Sequence, residues 1–257
     1  MTMTAAAPAP SALYTQLVLL DRQKHRTTRV REWTHRGAAS GLNAVFCAAA
    51  EFAEACKAFP LLFIRSGDTD ELGQPVITPV CLLGLVNGEN LFVDDGRWTA
   101  PYEPAFLRRY PFALVAARQE DGTSTQAVAV DGAFEGLAED GAGERLFGDN
   151  GEPTPYLEHV LGFLNDFESA VAVTRPIGAH LQSLGLLKDM RAEGTLANGE
   201  KFSVDGFFVV DEEKLRALPD DVVLQMHRGG LLALVHAHLV SLTNLSKLVD
   251  RKSARRR

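Results

Sequence analysis

The chain has few cysteines, and their spacing argues against metal binding and disulfide formation. Cys47, Cys56 and Cys81 are the three cysteines in 257 residues, with no CxxC pair and no metal-ligand spacing. Two of them stand in apolar runs, and Cys56 stands in a segment of good helix formers. We therefore expect three buried, reduced thiols, as in a protein of a reducing compartment.

Sequence motifs that identify many enzymes are also missing. The chain has no GxGxxG or GxxxxGK[ST] loop for nucleotide phosphates, and no serine lies in a GxSxG setting. No cysteine has an obvious activating neighbour in sequence. The sequence therefore predicts no catalytic residues and no cofactor.

Long apolar runs and a basic leader are absent as well. No segment reaches the roughly 18 apolar residues that a membrane-spanning helix needs. The N-terminal residues lack a basic region followed by an apolar one, and the Ala/Pro-rich residues 1–11 are predicted to be a disordered tail. We expect a cytoplasmic protein without a membrane span. The alternative is export to the cell surface without a leader.

Positive charge is scarce outside one segment. The formal net charge is −7, yet five of the last seven residues are basic. Subtracting these five cations leaves −12 for the other 250 residues. An acidic body argues against a nucleic-acid groove, which needs clustered cations. We predict that residues 250–257 form a basic, disordered tail.

Hydrophobic patterning predicts an α+β fold, with a mainly antiparallel sheet covered by C-terminal helices. Turn residues between apolar runs predict strand pairs, and these are 76–86 with 90–94, 113–117 with 126–130, and 195–197 with 202–210. Thr154-Pro155 predicts a helix start, and Arg175-Pro176 predicts a break in that helix. One long helix is predicted over residues 222–248.

Residues 90–112 concentrate aromatic side chains in a chain that is only 8% aromatic. Three prolines interrupt this stretch and prevent a single regular element. Its candidate ligand- or partner-binding residues are Trp98, Tyr102, Arg108, Arg109 and Tyr110. The paired arginines can contact an acidic or aromatic ligand, or they can form an internal ion pair that pins the loop.

Histidines supply the alternative hypothesis of a metal-dependent enzyme or metal-binding protein. His227 and His238 are eleven positions apart, so on a helix they return to one face. That face is the apolar stripe of the predicted 222–248 helix. A core histidine is therefore the main interpretation of His238, and a metal site at His227 and His238 is the alternative.

Several short segments resemble the SapC family of bacterial proteins. The resemblance covers residues 13–248, and the segments that carry it most clearly are GENLF at 88–92, LRRYPF at 107–112, NGEPTPYL at 150–157 and VDEEKL at 210–215. It implies a single SapC-like domain over residues 12–249. The family name comes from a bacterial surface layer, and the resemblance implies no catalytic residue or cofactor.

Together these patterns favour a non-enzymatic accessory or binding protein related to the surface-layer family. It would act through contacts with a protein partner or a small ligand, and it could form a homo-oligomer. Nucleic acid and membrane insertion are not expected.

Overall fold

A computed structural model describes residues 13–69, 73, 75–118, 124–139, 141–195 and 201–255. The predicted N-terminal tail, 1–11, lies outside the described residues. The strands are β1 Leu17–Leu19, β2 Arg29–Val30, β3 Ala44–Phe46, β4 Leu61–Thr69, β5 Pro75–Leu82, β6 Val93–Asp94, β7 Arg97–Trp98, β8 Phe112–Arg118, β9 Ser124–Asp131, β10 Leu137–Ala138, β11 Glu144–Arg145, β12 Leu187–Thr195 and β13 Lys201–Val210.

Within the described residues, seven α-helices accompany these strands, with short 3-10 helices at Arg36–Ala39 and Ala49–Glu51. The α-helices are α1 Phe52–Ala55, α2 Ala105–Arg108, α3 Pro155–Ser183, α4 Glu212–Arg216, α5 Asp220–Arg228, α6 Leu231–Ser241 and α7 Asn244–Ala254. The predicted α+β class with antiparallel sheets and C-terminal helices is confirmed.

The largest sheet has five strands in the order β12-β13-β4-β5-β3, and neighbouring strands run antiparallel. The pair predicted for 195–197 with 202–210 corresponds to β12–β13 in its second arm, but the first strand runs over Leu187–Thr195. The turn, 196–200, lies outside the described residues. A second sheet, β1-β9-β8, contains the predicted pair of 113–117 with 126–130. The short strands form two smaller sheets, β10-β2-β11 and β6-β7.

The hairpin predicted at Asn87-Gly88 was wrong. Strand β5 ends at Leu82, and Val93 of β6 pairs with Trp98 of β7. The chain folds back tightly after β5. The carbonyl oxygen of Glu89 lies 2.0 Å from the position that a Cβ would take at Gly84, so a side chain there would clash with it. An Asn-Gly turn signal identifies a reversal of the chain, but here the two arms do not form a ladder.

The break predicted at Pro176 was also wrong, since α3 continues through it to Ser183. Proline removes the hydrogen bond to the carbonyl of Ala172, which stands on the exposed side of the helix. The opposite side packs on β5, where a Cβ at Gly178 would lie 2.1 Å from the carbonyl oxygen of Ile77. Close packing of helix on sheet maintains α3 across the proline.

The long helix predicted over 222–248 is divided into α5, α6 and α7. Gly230 has a φ of 77° and separates α5 from α6, a conformation that glycine adopts without steric cost. Within α6, the Nδ1 of His238 lies 2.7 Å from the carbonyl oxygen of Leu61 in β4. Ser241 Oγ accepts the Leu61 N–H at 2.8 Å, so α6 is hydrogen-bonded to the central sheet.

The stretch Leu231–Ala254, 24 residues, is long and apolar enough to span a membrane by length and composition alone. These two properties are weak evidence, because core helices share them. In this structure the stretch supplies Leu231, Val235 and Leu248 to the buried core.

The C-terminal basic segment differs from the predicted disordered tail at 250–257. Helix α7 continues to Ala254, and Lys252 forms an ion pair with Glu89 at 2.6 Å. The Arg255 guanidinium donates to the carbonyls of Asn90 and Val93. Cations of this segment therefore contact a carboxylate and two backbone carbonyls in the chain that follows β5. Residues 256 and 257 lie outside the described part of the chain.

Asp131, at the end of β9, is fully buried and joins several segments. Its carboxylate accepts the backbone N–H groups of Thr15 (3.0 Å), Gln16 (2.8 Å) and Ala133 (3.1 Å). The hydroxyl of Tyr110 donates to the same carboxylate at 3.2 Å. One side chain thus fixes the chain before β1, the turn after β9 and Tyr110, two residues before β8.

We expect Asp131→Asn to lower the free energy of unfolding by about 2–4 kcal/mol, because an amide cannot accept from all of these donors. Urea denaturation followed by circular dichroism measures the change. The control is Asp166→Asn at an exposed position of α3, which should stay within about 0.5 kcal/mol of the wild type. Equal stability of Asp131→Asn and the wild type would contradict this role of Asp131.

Candidate functional site

Trp98 and Tyr102 are half-buried and hydrogen-bonded within the protein. The Trp98 Nε1–H donates to the carbonyl of Tyr102 at 2.9 Å. The Tyr102 hydroxyl donates to the buried carboxylate of Glu51 at 2.6 Å, and the N–H of Ala105 donates to the same oxygen at 2.7 Å. Glu51 thereby sets the start of α2, and the polar atoms of Trp98 and Tyr102 are used internally.

Arg109 is buried, with 7% of its surface exposed. Its guanidinium carbon lies 4.5 Å from the ring centroid of Phe106, 4.7 Å from that of Phe167 and 5.6 Å from that of Tyr14. No described carboxylate forms an ion pair with Arg109, and its Nε is buried without a hydrogen-bond partner. The internal ion pair predicted for the paired arginines is therefore not found at Arg109, because aromatic rings occupy its surroundings.

Arg108, the preceding residue, is exposed. Its guanidinium carbon lies 5.3 Å from the ring of Phe163 on α3 and 5.9 Å from the ring of Tyr102. Arg108 is the last residue of α2 and Arg109 follows it, so these successive positions point one arginine outward and the other into the core. An ion pair does pin this region, but it joins Arg36 to Glu103 in a bidentate contact at 2.7 and 3.1 Å.

Tyr110 is buried, and its ring packs between aromatic neighbours. The ring centroids of Trp33, Phe134 and Tyr14 lie 4.5, 5.4 and 5.5 Å from that of Tyr110. Burial and the nearby Asp131 raise the pKa of the Tyr110 hydroxyl well above its usual value. Tyr110 is thus a neutral hydrogen-bond donor fixed inside the fold.

Three neighbouring cavities share Tyr110 as a wall. The α2–α3 pocket has a volume of about 250 Å³ and is lined by Arg108, Arg109, Tyr110, Phe112, Tyr156, His159, Val160 and Phe163. The Arg36 groove, about 370 Å³, includes Trp33, Arg36, Glu32, Glu103 and Glu144. The Trp33 cleft, about 430 Å³, includes Trp33, His35, Phe134 and Glu135.

The structure places only part of the predicted binding set at a cavity. Arg108, Arg109 and Tyr110 line the α2–α3 pocket, whereas Trp98 and Tyr102 are not among the lining residues of these three cavities. Sequence reasoning missed Trp33, which stands in a polar segment, and Tyr156 and Phe163 of α3. The signal that could have identified Trp33 is that one of the two tryptophans of the chain stands among polar residues.

The metal hypothesis for His227 and His238 does not fit the structure. His238 is fully buried, its Nδ1 donates to the carbonyl of Leu61, and its Nε2 accepts the N–H of Val210 at 3.0 Å. Both ring nitrogens are therefore occupied, while His227 is exposed on α5. Among the described residues, no group of three or more His, Cys, Asp or Glu side chains could hold a metal ion.

A comparison with protein-family models identifies the family of the chain. The model described as SapC matches residues 20–248, which is most of the chain. The chain belongs to the SapC family. No curated protein and no solved structure matches this SapC-family protein significantly.

The α2–α3 pocket of this SapC-family protein combines cations with an apolar floor. Arg108 and Arg109 stand on one side, and Val160 and Phe163 of α3 stand on the other. Burial raises the pKa of the Tyr156 hydroxyl above its usual value, so this group is a hydrogen-bonding phenol at neutral pH. Such a lining can hold a ligand through charge, hydrogen bonds and ring contacts.

Burial lowers the pKa of His238 to about 4, which makes stability depend on pH. The unfolded histidine, with a pKa of about 6.5, binds a proton that the folded one excludes. The neutral His238 side chain therefore contributes to the free energy of unfolding fully above about pH 6.5, and this contribution is lost as the pH falls towards 4. The expected loss between pH 7 and pH 4 is about 3 kcal/mol. Urea denaturation across this range measures the loss.

Removal of the imidazole isolates this contribution. His238→Gln can donate to Leu61 and accept from Val210, so its stability should fall less steeply towards pH 4 than that of the wild type. Val240→Gln, at an exposed position of α6, is the control and should follow the wild type. Identical pH profiles for His238→Gln and Val240→Gln would contradict the assignment.

Proposed function

We propose that this SapC-family protein is a non-enzymatic accessory or binding protein that holds a small ligand in the α2–α3 pocket. The observation that carries the proposal is the position of Arg108 and Arg109 on one wall of an otherwise aromatic and aliphatic cavity. Arginine forms bidentate hydrogen bonds with planar groups and stacks on rings, so it is suited to recognition.

The size of the pocket favours a small occupant. A volume of about 250 Å³ lies just below the roughly 300–1,000 Å³ typical of ligand pockets. Phe112 is buried beneath it, and Val160 and Phe163 are half-buried. An occupant can therefore bury an apolar part against α3 while its polar part reaches α2.

The tyrosines and arginines of the lining favour binding over acid–base catalysis. Tyr110 donates to Asp131 inside the protein, and the raised pKa values of Tyr110 and Tyr156 keep both hydroxyls protonated at neutral pH. A protonated phenol is a weak general base. Arginine cannot serve as one at physiological pH. These four residues are better suited to hold a ligand than to transform it, which leaves His159 as the lining side chain with the chemistry of a general base.

Filling the pocket tests its role. Val160→Trp adds an indole at the lining, whereas Val173→Trp adds the same group at a position of α3 that is 69% exposed. Saturation-transfer NMR with benzyl alcohol, benzylamine and benzoate should detect binding to the wild type and to Val173→Trp. Binding to Val160→Trp should be lost, because the indole occupies the cavity.

Two results would contradict the binding role. One is that no phenyl fragment binds the wild type, and the other is that Val160→Trp binds them as well as Val173→Trp does. Circular dichroism of both variants establishes that they are folded before their binding is compared.

We further propose that the protein acts in the cytoplasm as an accessory of the surface-layer family. Buried free thiols at Cys47 and Cys81 support this location, since unpaired cysteines suit a reducing compartment. Burial also raises the pKa of the Cys47 thiol, which disfavours the reactive thiolate.

Cell fractionation tests the location. Recovery of the protein with cytosolic markers is the expected result. Recovery from the outer surface of intact cells, by surface labelling or protease shaving, would contradict the cytoplasmic proposal and favour leaderless export.

A further inference from the structure

We infer that the α2–α3 pocket selects an organic oxyanion, a carboxylate or phosphate group carried on an apolar body. This inference rests on the proposed binding role of the same pocket and adds the chemical class of the ligand. The juxtaposition that carries it is a buried, unpaired Arg109 and an exposed Arg108 at the edge of an aromatic floor.

Arg109 retains a positive charge in a largely desolvated place. The side chain is 7% exposed, and its Nε has no hydrogen-bond partner. Buried cations are normally paired, because the transfer of a charge out of water is energetically unfavourable. The rings of Phe106, Phe167 and Tyr14 offset part of that cost through cation–π contacts, but ring faces leave the N–H donors unsatisfied.

Glu168 is the carboxyl group within the protein that could pair with Arg109 in place of a ligand. It is half-buried on α3, and burial raises its pKa while Arg109 and Arg175 act in the opposite direction. Glu168 nevertheless forms no ion pair with Arg109 in the described structure, and it is not among the residues that line the pocket. Glu168 therefore acts on the charge of Arg109 from a distance, but it accepts no hydrogen bond from the N–H groups of the Arg109 guanidinium.

The distribution of acidic residues separates the pocket from its neighbours. None of the described residues that line the α2–α3 pocket is acidic. The adjoining Arg36 groove has Glu32, Glu103 and Glu144 in its lining, and Glu103 is bound to Arg36. The groove lining also contains Arg31, Arg36 and Arg108, so its carboxylates offset its cations. The cations of the α2–α3 pocket face no carboxylate in the pocket lining, which favours an anion there.

Arg108 provides the second cation. It is exposed at the edge of the pocket, and Phe163 and Tyr102 stand within 6 Å of its guanidinium. A planar carboxylate or a phosphate can accept two hydrogen bonds from such a fork. The apolar body of the ligand then lies on Phe163 and Val160, which places the charged group towards α2.

Calorimetric titration of the full-length protein tests the inference with benzoate, phenyl phosphate and the neutral analogue benzyl alcohol at constant ionic strength. We expect the oxyanions to bind the wild type at least about tenfold more tightly than benzyl alcohol, as for charge-assisted hydrogen bonds. Arg109→Met should remove this preference and leave the affinity for benzyl alcohol unchanged. The tighter of the two anions distinguishes a carboxylate ligand from a phosphate ligand.

The control is Arg216→Met, at an exposed ion pair with Glu212 on α4, which should bind all three probes as the wild type does. If Arg109→Met fails to fold, Arg108→Met at the exposed position replaces it, with an expected several-fold loss for the oxyanions alone. Equal affinity for benzoate, phenyl phosphate and benzyl alcohol would overturn the inference, as would a preference that survives the arginine substitution. If benzyl alcohol binds the wild type and Val160→Trp blocks that binding, the α2–α3 pocket is a binding site even if it does not prefer oxyanions. Failure of the oxyanion preference is thereby distinguished from failure of the proposed binding role.

Discussion

The hydrogen bonds of Asp131 are the constraint on which the fold and the candidate site both depend. This buried carboxylate accepts from the chain before β1, from the turn after β9 and from Tyr110. Tyr110 is in turn the residue shared by the α2–α3 pocket, the Arg36 groove and the Trp33 cleft. The hydrogen bond from Tyr110 to Asp131 therefore fixes the position of the one residue that lines all three cavities.

A second buried carboxylate organises the other end of the aromatic segment. Glu51 accepts from Tyr102 and Ala105 and so sets the direction of α2. This helix then directs Arg108 to solvent and Arg109 into a cluster of rings. Most side chains of residues 90–112 therefore stabilise the fold. The candidate binding groups, Arg108 and Arg109, lie where this segment packs against α3.

Local patterns predicted much of the fold, but they failed where tertiary contacts decide the outcome. Thr154-Pro155 correctly predicts the start of α3, because capping is a short-range effect. Pro176 did not end that helix, since packing of Gly178 against β5 overrides a local preference. The candidate site was predictable only in part: an RRY motif indicates recognition chemistry, but the burial of Arg109 by Phe167 depends on a helix distant in sequence.

The central claim is that Arg109 carries a charge which an anionic ligand of the α2–α3 pocket neutralises. The most direct measurement is the NMR signal of the Arg109 side-chain Nε–H during titration with phenyl phosphate, assigned by its loss in Arg109→Met. The account predicts a saturable shift of this signal that benzyl alcohol does not produce. A signal that stays in place while phenyl phosphate binds would contradict it.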